Sequence, residues 1–234
     1  MSKEMHRTYS GMLLEIFHYA VVLHHWFVAY YSIIVLDVAG AELQYLKDVR
    51  RFPIFYLTTW NFAGQVLFFS ICALQDAFGH SWTARNRNLI KKLQDFFFTS
   101  LVFPGTMLVW TAFWGLYLVD RELVLPQSAD EVTPQWLNHS LHSVIFVAVL
   151  LEMMFTRKRL FGHLVSMATL GFFCIAYDTA FMCINYIYGA ALYPLFYLVN
   201  SWMQKLLILF GFNVCVMGYY ILGAKFIFIR EKQV

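Results

Sequence analysis

Six long apolar stretches alternate with short polar connections along the chain, at about 12–36, 54–78, 95–119, 136–155, 163–188 and 202–228. A helix rising 1.5 Å per residue needs about 20 such residues to cross a hydrocarbon core of about 30 Å, so each stretch predicts a transmembrane helix. Membrane-spanning strands need only about 9–11 residues, and in lipid a backbone must satisfy its own polar groups, so the predicted fold is an all-α polytopic bundle. The connections carry most of the charge, in Lys47 to Arg51, Arg85 to Lys92, Asp120 to Glu131 and Arg157 to Arg159. Their shortness predicts antiparallel neighbours. With no internal repeat, low-complexity tract or long linker, residues 1–234 read as one domain.

Inside the spans the pattern is broken on particular faces. At 100° per residue Thr58, Asn61, Gln65, Cys72 and Asp76 form one polar stripe, with Phe62, Leu67, Phe68 and Phe69 filling much of the remaining surface. The fourth stretch repeats the theme, with Asn138, His142 and Glu152 on one broad face and His139 three residues before His142. In the third, Asp95, Thr99 and Thr106 line up, and Pro104 predicts a kink. Polar groups at such depth are costly, so each stripe is expected to face the bundle interior. Glu15, Asp95, Glu152 and Asp178 are expected as interior pairing or span-end groups, and Lys205 as a side chain that snorkels outward.

Composition narrows the class. Hydrophobic residues make up 60% of the chain and charged residues 13%, against roughly 45–50% and 25% in a soluble domain. The formal charge of +3 gives no reason to expect a nucleic-acid partner. The cysteines Cys72, Cys174, Cys183 and Cys215 all lie in apolar runs without a C-x-x-C pair, which predicts packing residues and neither a metal site nor a disulfide framework. No cofactor is expected. The first stretch is too long for a signal-peptide core of about 7–15 residues, so it reads as an uncleaved span although Ala39-Gly40-Ala41 behind it mimics a cleavage site. Counting Lys and Arg gives about twelve on the side holding both termini and four (Lys47, Arg50, Arg51, Arg121) on the other, which predicts cytosolic N- and C-termini. The expected location is the cell membrane or an endomembrane, with the lipid bilayer as the constant partner.

Depth brings two polar residues together. With that orientation Thr58 lies roughly 7 Å below the outer surface and His142 roughly 10 Å below it, on spans that run in the same direction. A hydroxyl and an imidazole at one level are the minimum for an activated nucleophile, in which the imidazole removes the hydroxyl proton as oxygen attacks an acyl carbon. Chemistry alone leaves structural roles open. A threonine in a membrane helix commonly bonds its own i−4 carbonyl, and Asn138 and His139 either hold His142 or cap a helix that starts near Pro134 and Gln135.

Several segments together resemble the androgen-induced protein family, which includes the androgen-dependent regulator of tissue factor pathway inhibitor. They are Tyr56-Leu57-Thr58 with Gln65 downstream, Phe103-Pro104 followed by Ala112-Phe113-Trp114, the Asp120 to Pro126 stretch, and Pro134-x-Trp136-Leu137-Asn138-His139-x-x-His142. The resemblance runs from about Arg51 to the last span. It implies an integral membrane hydrolase of lipid esters, specifically fatty acid esters of hydroxy fatty acids, with Thr58 as nucleophile and His142 as base. Asn61, Gln65, Asn138 and His139 are supporting candidates, the first two together with backbone donors near Pro104 as possible oxyanion ligands. Where the family has G-x-W-x-Y-P, this chain reads Gly189-Ala190-Ala191-Leu192-Tyr193-Pro194, so Ala191 is expected at the substrate mouth. Two rival readings remain at this stage. One is a six-helix haem-binding electron carrier using His25, His142 and His163. The other is a non-enzymatic transporter or scaffold built on the polar stripes.

Overall fold

The computed structural model describes residues 3–36 and 44–232, which leaves the Ala39-Gly40-Ala41 segment outside the described residues. Every regular element among those residues is helical. Six helical segments are long and apolar enough to cross a membrane: Gly11–Val35, Leu57–Ser81, Ala84–Val119, Gln135–Phe155, His163–Tyr188 and Trp202–Arg230. The protein is a multi-pass membrane protein.

The first span is α1 (Lys3–Tyr30), which ends in a π-helical turn, and α2 (Gln44–Arg51) is a short amphipathic helix after it. The second span, α3 (Leu57–Phe78), packs against α1 and against the paired segments α4 (Ala84–Phe97) and α5 (Phe103–Val119). The third span starts at Ala84, about ten residues before the expected 95, because amphipathic α4 carries the helix beyond the apolar run while leaving Arg85 and Lys92 outside it. Between α4 and α5 a π-helical turn, Phe98–Val102, absorbs the Pro104 break. Proline leaves a backbone acceptor unmatched, and the wider π turn accommodates it without ending the span.

The fourth span joins α6 (Gln135–His139) to α7 (Ile145–Phe155) through another π turn, Ser140–Val144, which contains His142. Then come α8 (His163–Tyr188), the single turn α9 (Pro194–Tyr197), and α10 (Trp202–Lys232). Helix α10 lies close on α5: a Cβ at Gly223 would stand 2.7 Å from a ring carbon of Phe103. Such close approach is the usual reason for a small residue in a membrane helix interface.

The stripe on α3 faces inward, with Asn61, Gln65 and Cys72 buried. Phe62, Phe68 and Phe69 are buried too, so of the phenylalanines and leucine expected on the outer surface only Leu67 is exposed. In lipid an apolar side chain is at home on either face, and periodicity cannot separate them. Cys72 and Cys174 pack inside, whereas Cys183 and Cys215 are exposed. Lys205 does not snorkel: it is buried and its Nζ donates to Asn185 Oδ1 at 2.8 Å.

A charged cluster closes one end of the bundle. His18 on α1 contacts Asp76 through Nδ1 at 2.5 Å and Glu152 through Nε2 at 3.0 Å, and Lys158 donates to Glu152. Asp76 and Thr58 are eighteen residues apart on α3, about 27 Å along its axis. Asp95 pairs with Lys91 and Asp178 with Asn213, whereas Glu15 is exposed near the start of the first span.

Candidate active site

At the opposite end from that cluster, the start of α3 faces the π turn of the fourth span across an apolar cavity of about 260 Å³. Its walls are mostly leucine and aromatic side chains from α2, α5, α6 and α9, with Thr58, Asn138, His142, Tyr177 and Tyr193 among the polar residues that reach it. Thr58 Oγ1 lies 3.4 Å from His142 Nε2. That is the long end of hydrogen bonding, a separation common for a nucleophile and base before substrate tightens the contact.

The second imidazole nitrogen fixes the tautomer. His142 Nδ1 is 3.0 Å from the backbone oxygen of Asn138 and 2.8 Å from its side-chain Oδ1. A carbonyl oxygen can only accept, so Nδ1 carries the hydrogen and Nε2 turns its lone pair toward Thr58. Phe113 stacks on the imidazole with centroids 3.6 Å apart and planes 13° from parallel, which holds the ring plane. The π turn itself places His142 on this face, and one-turn π segments of this kind are frequent at functional sites.

Only part of the expected set meets here. Thr58, His142 and Asn138 converge on the cavity, but Asn61 and Gln65 do not line it. They belong to a buried hydrogen-bonded chain. His25 Nε2 donates to Gln65 Oε1 at 3.1 Å, Gln65 Nε2 donates to Thr106 Oγ1 at 2.7 Å, and Thr106 donates to Asn61 Oδ1 at 3.0 Å. Beyond His25 the chain continues through His24 to Ser140. His139 is exposed, sits 3.2 Å from Ser143 Oγ, stacks on Trp114 and does not line the cavity. Thr59 also borders the cavity, but its hydroxyl donates to the Pro53 carbonyl at 2.8 Å and is not beside His142. The three histidines considered for haem have separate polar partners: Gln65 for His25, Thr58 and Asn138 for His142, and Tyr220 for His163.

Two features were not read from sequence. Tyr193 accepts a hydrogen bond from the Leu57 backbone N–H at 2.8 Å, and its hydroxyl lies 3.1 Å from that of Tyr177. Burial raises the Tyr193 hydroxyl to about 12, so it is protonated at neutral pH. The segment before it is a γ-turn: Tyr193 N–H donates to the Ala191 oxygen at 2.7 Å across Leu192, which has φ of 57°. Ala191 itself is buried in an aromatic cluster with Phe52, Tyr56 and Phe181 instead of lining the cavity. The tyrosines offered a weak signal, since Y-P closes the motif in which Ala191 stands in place of Trp. The pairing of residues 57, 177 and 193 is a tertiary fact that no local pattern encodes.

The family model described as FAR-17a/AIG1-like protein matches residues 16–227. The match begins inside the first span, well before the start near Arg51 expected from motifs. Among curated proteins, the androgen-dependent TFPI-regulating protein of Mesocricetus auratus is 30% identical over 217 residues, covering 93% of this chain and 89% of the relative. The human protein of the same name is 28% identical over 213 residues, covering 90% of each. The human androgen-induced gene 1 protein is 27% identical over 176 residues, covering 72% of this chain and 73% of the relative. No solved structure matches.

Proposed function

The chain belongs to the FAR-17a/AIG1-like protein family, and from that premise and the Thr58–His142 contact we propose that it is a membrane hydrolase of lipid esters. The observation that carries the reading is a threonine hydroxyl facing the unprotonated nitrogen of a histidine whose other nitrogen is tied down, inside an apolar cavity. A free structural threonine has no need of that tautomer.

The reaction is a two-step acyl transfer. His142 Nε2 takes the Thr58 proton as Oγ1 bonds to the ester carbonyl carbon, and the carbonyl π pair moves onto oxygen. Collapse expels the alcohol, which takes the proton from His142, and leaves an acyl-threonine. Water, deprotonated by His142, then releases the acid and restores the hydroxyl. Asn138 keeps the imidazole in the right tautomer throughout and steadies its positive charge, as the third member of such constellations does. The leucine-rich walls suit alkyl chains, and fatty acid esters of hydroxy fatty acids are the substrates this reading favours.

Hydrolysis of such an ester by the purified chain in detergent, beside Thr58→Ala and His142→Ala, tests it. Both variants are expected to lose turnover while retaining the wild-type melting profile. A folded Thr58→Ala protein that hydrolyses at the wild-type rate ends the proposal.

A further inference from the structure

The Thr58–His142 pair supplies a nucleophile and a base but nothing to receive the charge that builds on the carbonyl oxygen. The residues first considered for that task, Asn61 and Gln65, do not line the cavity. A donor left over by the protein's own hydrogen bonding does. Tyr177 and Tyr193 both line the cavity, and their hydroxyls lie 3.1 Å apart. Two phenol groups hold two protons, and one proton serves the bond between them. The backbone N–H of Leu57 donates to Tyr193, which uses acceptor capacity and no proton. The second phenol proton therefore has no acceptor among the described residues, while Tyr177 is 6% exposed. Buried donors in folded proteins find partners, so a spare one facing a cavity points to a ligand acceptor.

Position agrees with that. The Tyr193 oxygen is 2.8 Å from the amide nitrogen of Leu57, the residue that precedes Thr58. The chain holds it there at a cost, because Leu192 adopts a left-handed conformation unusual for a leucine while completely buried. Strain of this sort persists where surrounding contacts require it, and it gathers at reactive sites.

Resting on the reading of Thr58 as nucleophile, we propose that Tyr193, oriented by Tyr177, donates the hydrogen bond that stabilises the ester's carbonyl oxygen as it becomes an oxyanion. No proton is transferred in this step: the Thr58 oxygen–carbon bond forms, the π pair moves to oxygen, and the phenol proton stays on Tyr193 while its hydrogen bond shortens. Tyr177 is a positioning residue, giving its own proton to Tyr193 and so directing the Tyr193 proton into the cavity.

A matched pair of substrates, one fatty acid ester and its thionoester with C=S in place of C=O, separates this role from a structural one, because sulfur accepts hydrogen bonds weakly. Tyr193→Phe is expected to lower kcat for the oxoester by about 10²-fold, the usual scale for losing one oxyanion donor. KM should stay within about twofold, and the thionoester rate should change far less, so the oxo-to-thiono ratio collapses. Tyr177→Phe leaves Leu57 its acceptor and should shift the same ratio in the same direction by a smaller factor. An unchanged ratio in both variants overturns the proposal, whether the two rates fall together or do not fall. A rise in KM alone does so as well, since it would mean the hydroxyl grips another part of the substrate. Thr58→Ala run in parallel keeps the two ideas apart: activity there refutes the nucleophile, whereas inactivity there with an unchanged ratio in Tyr193→Phe refutes only the oxyanion donor.

Discussion

At the residue scale the site turns on which atoms are already occupied. Thr58 and Thr59 are adjacent threonines at the start of α3, yet only Thr58 has an imidazole nitrogen beside it, while Thr59 is bonded to the Pro53 carbonyl. Thr59→Ala should therefore leave ester turnover within about twofold of wild type, the difference expected of an exposed hydroxyl with no part in the chemistry. Asn138 is a subtler case because His142 Nδ1 has two acceptors on that one residue. Asn138→Leu removes the side-chain oxygen and keeps the backbone one. Losing a hydrogen bond of about 1 kcal/mol predicts a fall in kcat of up to about tenfold, well short of the loss expected for His142→Ala. Steady-state kinetics on the two variants distinguishes a steadying residue from the base itself.

At the element scale, a departure from ideal helix positions His142. The fourth span shifts from α to π geometry at Ser140–Val144, and His142 sits inside that turn. The α3 stripe was legible from spacing, as was the shared depth of Thr58 and His142, because a helix converts sequence position into height and direction. What spacing could not show was how the stripe divides. Thr58 opens onto the cavity, while Asn61 Oδ1 and both ends of the Gln65 amide are engaged in a chain that ties α1, α3 and α5 together. Gln65 is completely buried with both ends of its amide engaged. Gln65→Leu should strand the His25 Nε2 donor at a cost of about 1–3 kcal/mol, while Thr106 keeps Asn61 as its acceptor, and lower the melting temperature measured in detergent. Its effect on kcat per folded molecule should be small, since the amide does not reach the cavity.

At the scale of the whole molecule, the two ends of the bundle differ in chemistry. One carries the buried ion network of His18, Asp76, Glu152 and Lys158, and the other carries the Thr58–His142 contact, about 27 Å away along α3. Glu152→Ala leaves Lys158 buried without its carboxylate and His18 with Asp76 alone, so it should cost about 3–5 kcal/mol of stability. Thermal unfolding should report that loss, while the turnover of molecules still folded stays near wild type. Six spans and an all-α bundle were readable because the bilayer imposes a length on every crossing helix. Interior and exterior faces were less readable, as buried Phe68 and exposed Cys215 show, because lipid and protein interior are both apolar. The Tyr177–Tyr193 contact joins α8 to the loop before α9 against the start of α3, and a contact between distant parts of the chain leaves no periodic trace.

The most direct measurement is the site of covalent labelling by a fluorophosphonate, read by peptide mass spectrometry of the full chain in detergent. An activated hydroxyl predicts a single adduct on Thr58, absent from Thr58→Ala and strongly reduced in His142→Ala. An adduct that stays in Thr58→Ala, or forms on Thr59, would contradict the account.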